Sequence, residues 1–331
     1  MSVYVIAEAG VNHNGKLKLA LKLCEEAKNA GADAVKFQTW KTELVITRGT
    51  KKAGYQNSCT DPNEDQFEML KKLELSYNDF KIIKSYCDDI GIDFLSTADE
   101  IDSLDFLLEL GIPIIKIGSG DITNIPYLTY IGKQRLPIIL STGMSCLGDI
   151  EKAIDILNTE NKHDITLLHC TTNYPCPMNE VNLRAMQTLK HAFKYDIGYS
   201  DHTAGIDIPI AAAAMGACVI EKHFTLDTNM EGPDHRASLN PTEFERMVHG
   251  IRNIEEALGD GIKRPNKSET VISEVVLKRI VASKNIKKGE ILCKDNMSVK
   301  RCSYGINASL WNIVSGHIAP KDFDTDEPIL L

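Results

Sequence analysis

Positive charge is scarce in this chain. Its 331 residues carry 37 Lys and Arg against 46 Asp and Glu, a formal charge of −9. A protein that grips a nucleic-acid backbone needs a basic stripe, so no nucleic acid is expected as a partner. Long apolar runs are missing as well. No stretch approaches the ~20 residues of a membrane span, so no membrane is expected either. The N-terminal MSVYVIAEAGVNHNG lacks the cationic start and apolar length of a secretory signal. Cysteine is present without a framework. There are nine, an odd number. Cys24, Cys87 and Cys218 sit in apolar patterns like small hydrophobes, and Cys170 and Cys176 lack the paired spacing of a zinc ribbon. A reducing, cytoplasmic location is the expectation. The first turn, Glu8-Ala9-Gly10-Val11-Asn12-His13-Asn14-Gly15, lacks the GxGxxG spacing of a dinucleotide fold.

What is present is a regular alternation of short β-branched runs and amphipathic helical patterns. The runs predict strands at 3–7, 34–37, 92–95, 114–117, 138–140, 165–168, 196–199 and 218–221. Between them, Leu17, Leu21, Cys24 and Ala27 share one helical face. Phe80, Ile83, Cys87 and Ile90 share another, with Ser76 as N-cap and Gly91 as stop, and Ile101, Leu104 and Leu108 repeat the pattern before Gly111. Eight βα units in about 260 residues predict an α/β fold, a (β/α)₈ TIM barrel. The barrel is expected over 1–261, a linker over 262–275 and a small β-rich module over 276–331, with strands at 279–282, 290–292 and 297–300. Such a module is too small to be very stable alone, so it is expected to dock on its own barrel or a partner's.

A TIM barrel carries its chemistry at the C-terminal ends of its strands. Every predicted strand here runs into polar residues: Glu8; Lys36 and Gln38; Ser96 and Thr97; Lys116, Ser119 and Asp121; Ser141 and Thr142; His169 to Tyr174; Ser200 to Thr203; Glu221 to His223. Two lysines with hydroxyls and a Gly-Ser-Gly turn suit an oxyanion or phosphate, and a Schiff-base lysine is the other barrel chemistry. His202 and His223 end neighbouring strands. They suit a divalent metal with open positions, or an acid–base pair. His169 reads as structural or supporting, while His163, His191 and His249 read as surface. Asp234 lies in the loop after the last strand, where it can serve as a substrate acceptor or as a turn carboxylate. These parts suggest carbon–carbon bond chemistry between a phosphorylated three-carbon unit and a carbonyl.

The motifs AEAGVNHNG (7–15), AVKFQT (34–39), IKIGSGD (115–121), LLHCTTNYP (167–175), GYSDHT (198–203), IEKHFTLD (220–227) and GPDHRASLNP (232–241) are similar to those of the bacterial sialic acid synthase family, which includes N-acetylneuraminate and N,N'-diacetyllegionaminate synthases. The tail ASKNIKKGEIL…NMSVKRCSYGI resembles its antifreeze-like (SAF) domain. The resemblance implies condensation of phosphoenolpyruvate with an open-chain N-acetylated amino sugar, N-acetylmannosamine first and 2,4-diacetamido-2,4,6-trideoxymannose as the alternative, with Mn²⁺ or Mg²⁺. It places the metal on His202 and His223. It places phosphoenolpyruvate on Lys36, Thr97, Lys116, Ser119, Ser141, Thr172 and Ser200. The sugar falls on Glu8, Gln38, Tyr174 and Asp234, and the general base on Glu8 or Asp121. It implies a domain-swapped homodimer in which Arg301 reaches the sugar's acetamido group. Four positions depart from the family pattern. Asp121 stands where many members have Glu, Thr172 where some have Asn, and Ala98 and Cys302 where Pro is usual.

Overall fold

The computed structural model describes residues 2–54 and 56–331 and divides into two compact units, Met1–Gly259 and Asp260–Leu331. In the first, eight parallel strands close into a barrel in chain order. They are β1 (Tyr4–Gly10), β2 (Ala34–Thr39), β3 (Asp93–Ala98), β4 (Ile115–Ile117), β5 (Ile138–Ser141), β6 (Ile165–His169), β7 (Asp196–Asp201) and β8 (Val219–His223). The barrel closes where β1 pairs with β8, from Tyr4 opposite Val219 to Glu8 opposite His223.

The helices form where their sequence signals stand. Tyr77–Ile90 starts at Ser76, whose hydroxyl accepts from the Asp79 amide while Asp79 reaches back, and ends at Gly91 with φ +70°. That left-handed conformation suits glycine. Ile101–Leu110 stops in the same way at Gly111.

Strand alternation sorts the side chains into two cores. Outward residues such as Val5, Phe37, Phe94, Tyr199 and Ile220 pack against the helices in a large apolar layer. Inward residues Ile6, Ala34, Leu95, Ile139, Leu168 and Val219 form a plug inside the barrel. Two residues further along the strands, the inward positions become polar: Glu8, Lys36, Thr97, Glu221 and others. The barrel is thus an apolar floor under a polar mouth.

Several expectations need adjusting. β1 extends to Gly10 and β8 to His223, because the closing ladder pairs straight through the polar residues. The stretch 262–275 contains most of a helix, Lys267–Val276, with Asn266 and Glu269 in a capping box. In the second unit β9 (Lys278–Ala282) and β10 (Met297–Arg301) pair antiparallel, but 290–292 is no strand. It pairs with residues 316–319 around a bridge from Ile291 to Ile318, with backbone hydrogen bonds such as Leu292 to His317 and Ala319 to Glu290, both 2.8 Å, but is too short to extend into a strand. This unit has its own core of Ile280, Ile286, Leu292, Met297, Phe323 and Ile329, among others. His163 is not a surface residue. It is buried, its ring nitrogens lying 3.1 Å from the Gly132 carbonyl and 3.3 Å from that of Leu136.

Gly198 points into the plug. A Cβ there would meet Leu168 Cδ2 and the Val219 carbonyl oxygen, both at 2.5 Å. The Gly198→Ala variant should therefore lose about 1–3 kcal/mol of unfolding free energy in chemical denaturation, the usual cost of overpacking. An unchanged denaturation midpoint would show that the plug yields.

Candidate active site

The polar mouth is organised around two lysines and two glutamates. Register sets Glu8 beside Lys36 across β1 and β2, and Thr97 beside Lys116 across β3 and β4. Lys36 Nζ lies 2.6 Å from Glu8 Oε2 and 3.6 Å from Glu221 Oε2, and it donates to Thr97 Oγ1 at 3.1 Å. Lys116 Nζ donates to Ser141 Oγ at 2.8 Å and lies 3.7 Å from Glu221 Oε1. Ser200 donates to Glu221 at 3.0 Å, and Gln38 to Glu8 at 3.3 Å. All four charged groups are buried.

Burial and partners act against each other here. Burial pushes Glu8 up to about 7 despite its Lys36 contact. At Glu221 burial also acts upward, but Lys116, Lys36 and the Ser200 hydroxyl outweigh it and pull the group down to about 2. For Lys36, burial is outweighed by Glu221 and Glu8, and the ammonium is held. Lys116 is lowered, first by burial and then by Lys36, with Glu221 only partly compensating. Lys36 is thus the committed lysine. Lys116 has no carboxylate oxygen closer than 3.7 Å and has more to gain from an added anion.

These groups line a cavity of about 300 Å³ with Gln38, Ser119, Thr172, Tyr174, His202 and His223. Gly143 lets its far wall close. Its amide donates to Ser119 Oγ at 3.0 Å, and a Cβ there would stand 2.8 Å from the same oxygen.

At the β7–β8 corner the two imidazoles lie 5.5 Å apart between ring centroids, with the Tyr174 ring 4.2 Å from His202 and edge-on to His223 at 5.4 Å. His202 Nδ1 donates to the Thr171 carbonyl at 2.7 Å, which leaves Nε2 as the lone-pair nitrogen. His223 Nδ1 is buried and makes no hydrogen bond, and Asp234 Oδ2 is 4.0 Å away. Burial lowers both imidazoles, and the pair lowers His223 further. Neutral rings with unclaimed lone pairs are the form that ligates a cation, so this corner fits a divalent metal. Among the described residues no cluster of three or more His, Cys, Asp or Glu is arranged for one. The protein would thus supply two imidazoles and leave several positions open.

The structure separates some of the expected site residues. Asp121 does not line the lysine cavity. It faces an adjoining cavity of about 640 Å³ with Asp99, Glu100, Asp102, Leu44 and Val45, and it accepts from Asn124 at 3.0 Å. Asp234 stands beside His223, and burial pushes it to about 6. Arg301 is exposed on β10 of the second unit. His169 is structural, bonded through Nε2 to the Val181 carbonyl at 2.8 Å.

Two groups went without a role in the sequence. Glu221 was visible only as a strand-end polar residue, although its spacing of two from His223 puts both on the inward face. Asp99 gave no signal, because it sits just past β3 in a turn.

With this geometry in hand, comparison with known proteins is direct. The NeuB family model matches residues 23–263, and the SAF domain model matches 279–331. The chain belongs to the NeuB family. It is 53% identical over 327 residues to an N,N'-diacetyllegionaminic acid synthase of Campylobacter jejuni, covering 98% of each chain. To the enzyme of that name from Legionella pneumophila it is 44% identical, covering 96% of this chain and 91% of the other. A crystal structure of a sialic acid synthetase from Leptospira borgpetersenii, in complex with citrate, superposes with a TM-score of 0.74 at 36% identity, covering 83% of this chain and 91% of that one. This NeuB-family chain is an enzyme of the synthase class, and its TIM barrel and SAF domain match the expected architecture.

Asp99 offers a pH test of the mouth. Burial first, then Asp121, pushes it from its ordinary 3.8 to about 7. Between those values the folded state holds a proton that the unfolded chain has lost, so stability falls as pH rises through the window. Asp99→Asn removes that penalty. Its melting temperature relative to wild type should rise by about 2 °C or more between pH 5 and pH 8. A constant difference across that range would mean that Asp99 titrates normally.

Proposed function

We propose that this NeuB-family enzyme condenses phosphoenolpyruvate with 2,4-diacetamido-2,4,6-trideoxymannose and water, giving N,N'-diacetyllegionaminate and phosphate. The observation that carries the choice of sugar is the 53% identity, end to end, to the Campylobacter legionaminic acid synthase, supported by the Legionella one. N-acetylmannosamine comes first on sequence motifs alone and second once these relatives are weighed.

The cavity supports this chemistry. Phosphoenolpyruvate is a small, multiply charged anion. Lys116 is the side chain to meet it, with the Ser141 and Ser119 hydroxyls beside it. Lys36, Thr97, Thr172 and Ser200 complete the cradle. Lys36 stays paired with Glu8 and keeps the local charge balanced. C3 of phosphoenolpyruvate attacks the aldehyde carbon of the open-chain sugar, held by Gln38, Tyr174 and Asp234. Water then adds at C2, and the C–O bond to phosphate breaks. Glu8 is the better placed of the two candidate bases. It lines the same cavity as the lysines, with its Oε2 2.6 Å from Lys36 Nζ, whereas Asp121 faces the neighbouring cavity. His202 and His223 would hold a divalent cation, Mn²⁺ or Mg²⁺, which when bound supplies Lewis-acid polarisation of the sugar aldehyde.

A homodimer completes the reading. Val271, Ile272 and Val275 are 55–68% exposed on one helix next to the exposed Leu277. An apolar face of this kind calls for a partner. The reading gives Arg301 a place in the site of a second copy, on the sugar's acetamido group.

Phosphate release from phosphoenolpyruvate should require both a divalent cation and an amino sugar. The diacetamido-trideoxy sugar should give a kcat/KM at least about tenfold above that of N-acetylmannosamine, about 1.4 kcal/mol of transition-state discrimination. Equal or reversed values would restore the sialic acid reading. Light scattering during size exclusion should give twice the 36.7 kDa chain mass. A monomer that turns over at full rate would remove Arg301 from the site.

A further inference from the structure

Behind the imidazole corner, on the other face of the same strands, lies a second charged pair that the proposed reaction does not use. Register sets Asp201 opposite Lys222, one residue from His202 and His223 respectively. Ser200 and Glu221 point into the barrel, so Asp201 and Lys222 point out toward the helix layer, where both side chains are fully buried. Lys222 Nζ lies 2.5 Å from Asp201 Oδ2 and donates to the Thr203 carbonyl at 2.5 Å. Asp201 accepts from the Thr203 amide at 3.2 Å and from the Thr203 hydroxyl at 3.0 Å, and the Tyr199 phenol bonds to the same carboxylate. The Cys176 amide donates to the His202 carbonyl at 2.7 Å and ties the loop after β6 to this strand end.

Charges in an apolar layer are expensive, and well-packed hydrophobic residues would serve stability as well or better. What the pair does that they cannot is specify position. It ties β7 to β8 at a single register and locks the backbone turn that leaves β7 at His202. We infer that Asp201 and Lys222, with Thr203, form a buried strap whose task is to hold His202 and His223 at the separation that a divalent cation needs. They are positioning residues, and the inference rests on the reading of the two imidazoles as metal-holding groups. A strap of this kind acts on cation affinity by geometry. Its two charges sum to zero, so it adds no net charge beside the site.

The test uses the full chain and Mn²⁺ alone, followed by the electron paramagnetic resonance signal of the free ion. The double variant Asp201→Asn with Lys222→Met keeps an acceptor for Thr203, leaves net charge unchanged and removes the link between strands. It should fold, and its Mn²⁺ Kd should rise by about tenfold or more, the usual loss when an outer partner of a metal site is removed. A strap that serves the fold alone would lower the melting temperature of the metal-free protein and leave the Kd of the folded variant within about twofold of wild type. That result overturns the inference. Should the double variant not fold, Thr203→Val removes one anchor of Asp201 and should raise the Kd beyond about twofold; an unchanged value again overturns it. A wild-type chain that binds no Mn²⁺ would instead remove the metal reading itself, and the strap's purpose with it.

Discussion

The alternation of charge at the barrel mouth governs the rest of the site. Glu8, Lys36, Glu221 and Lys116 come from four different strands and meet above an apolar plug. In such a place an unpaired charge is strongly disfavoured, and removal of one member of a buried pair typically costs about 3–5 kcal/mol. The four groups therefore have to arrive together. That demand constrains register at β1–β2, β3–β4 and the β1–β8 closure, because a slip of one residue would turn a charge outward into the helix layer. The same demand shapes the chemistry. Glu221 is shared by both lysines and stays ionised, so Lys116 is only partly neutralised and the ring retains capacity for an incoming anion.

The strands that end this barrel serve two faces at once. Along β8, Glu221 and His223 face the cavity while Lys222 faces the helices. Along β7, Ser200 faces the cavity while Asp201 faces the helices. Polar residues thus accumulate at consecutive positions, and a strand that begins as a purely apolar run ends as a run of polar ones. Expectation based on apolar character stops such strands two residues short, which is what happened at both β7 and β8. The hydrogen-bond ladder does not depend on side-chain polarity, and it continued through the charged residues.

What could be read from the chain follows from locality. Helix ends such as Ser76 and Gly91 are specified by one or two residues, and the barrel by repetition, so both were legible. Lys36, Lys116, His202 and His223 were legible because each follows an apolar run inside a strand–helix repeat. Partners were not. That Glu221 would be shared between two lysines depends on contacts spanning 105 and 185 positions, and that Asp121 would face a different cavity depends on how separate loops fold together. His163 reads as a surface residue, and its burial against the Gly132 and Leu136 carbonyls depends on segments about thirty positions away. The 290–292 stretch has strand-like composition, but its pairing with 316–319 ends after a single bridge.

The net charge of −9 is the wrong scale on which to judge whether this protein handles an anion. Screening leaves exposed charges more than about 10 Å away with little influence in ordinary salt, whereas buried groups a few ångströms away are screened far less. At the mouth the relevant inventory is two lysines, the carboxylates that partner them, and a wall of hydroxyls. Within that inventory the asymmetry between the lysines decides the outcome. Lys36 touches Glu8 at 2.6 Å, and separating them would strand a carboxylate in a dry site. Lys116 gives up no close ion pair when a phosphate or carboxylate approaches, since its nearest carboxylate oxygen is 3.7 Å away. An anion that enters next to Lys116 also finds the Ser141 and Ser119 hydroxyls. Lys116 and Ser141 stand on β4 and β5, while the imidazoles stand at the ends of β7 and β8. Glu221, 3.6 Å from Lys36 and 3.7 Å from Lys116 and two residues before His223, is the carboxylate that joins the lysine side of the cavity to the imidazole side.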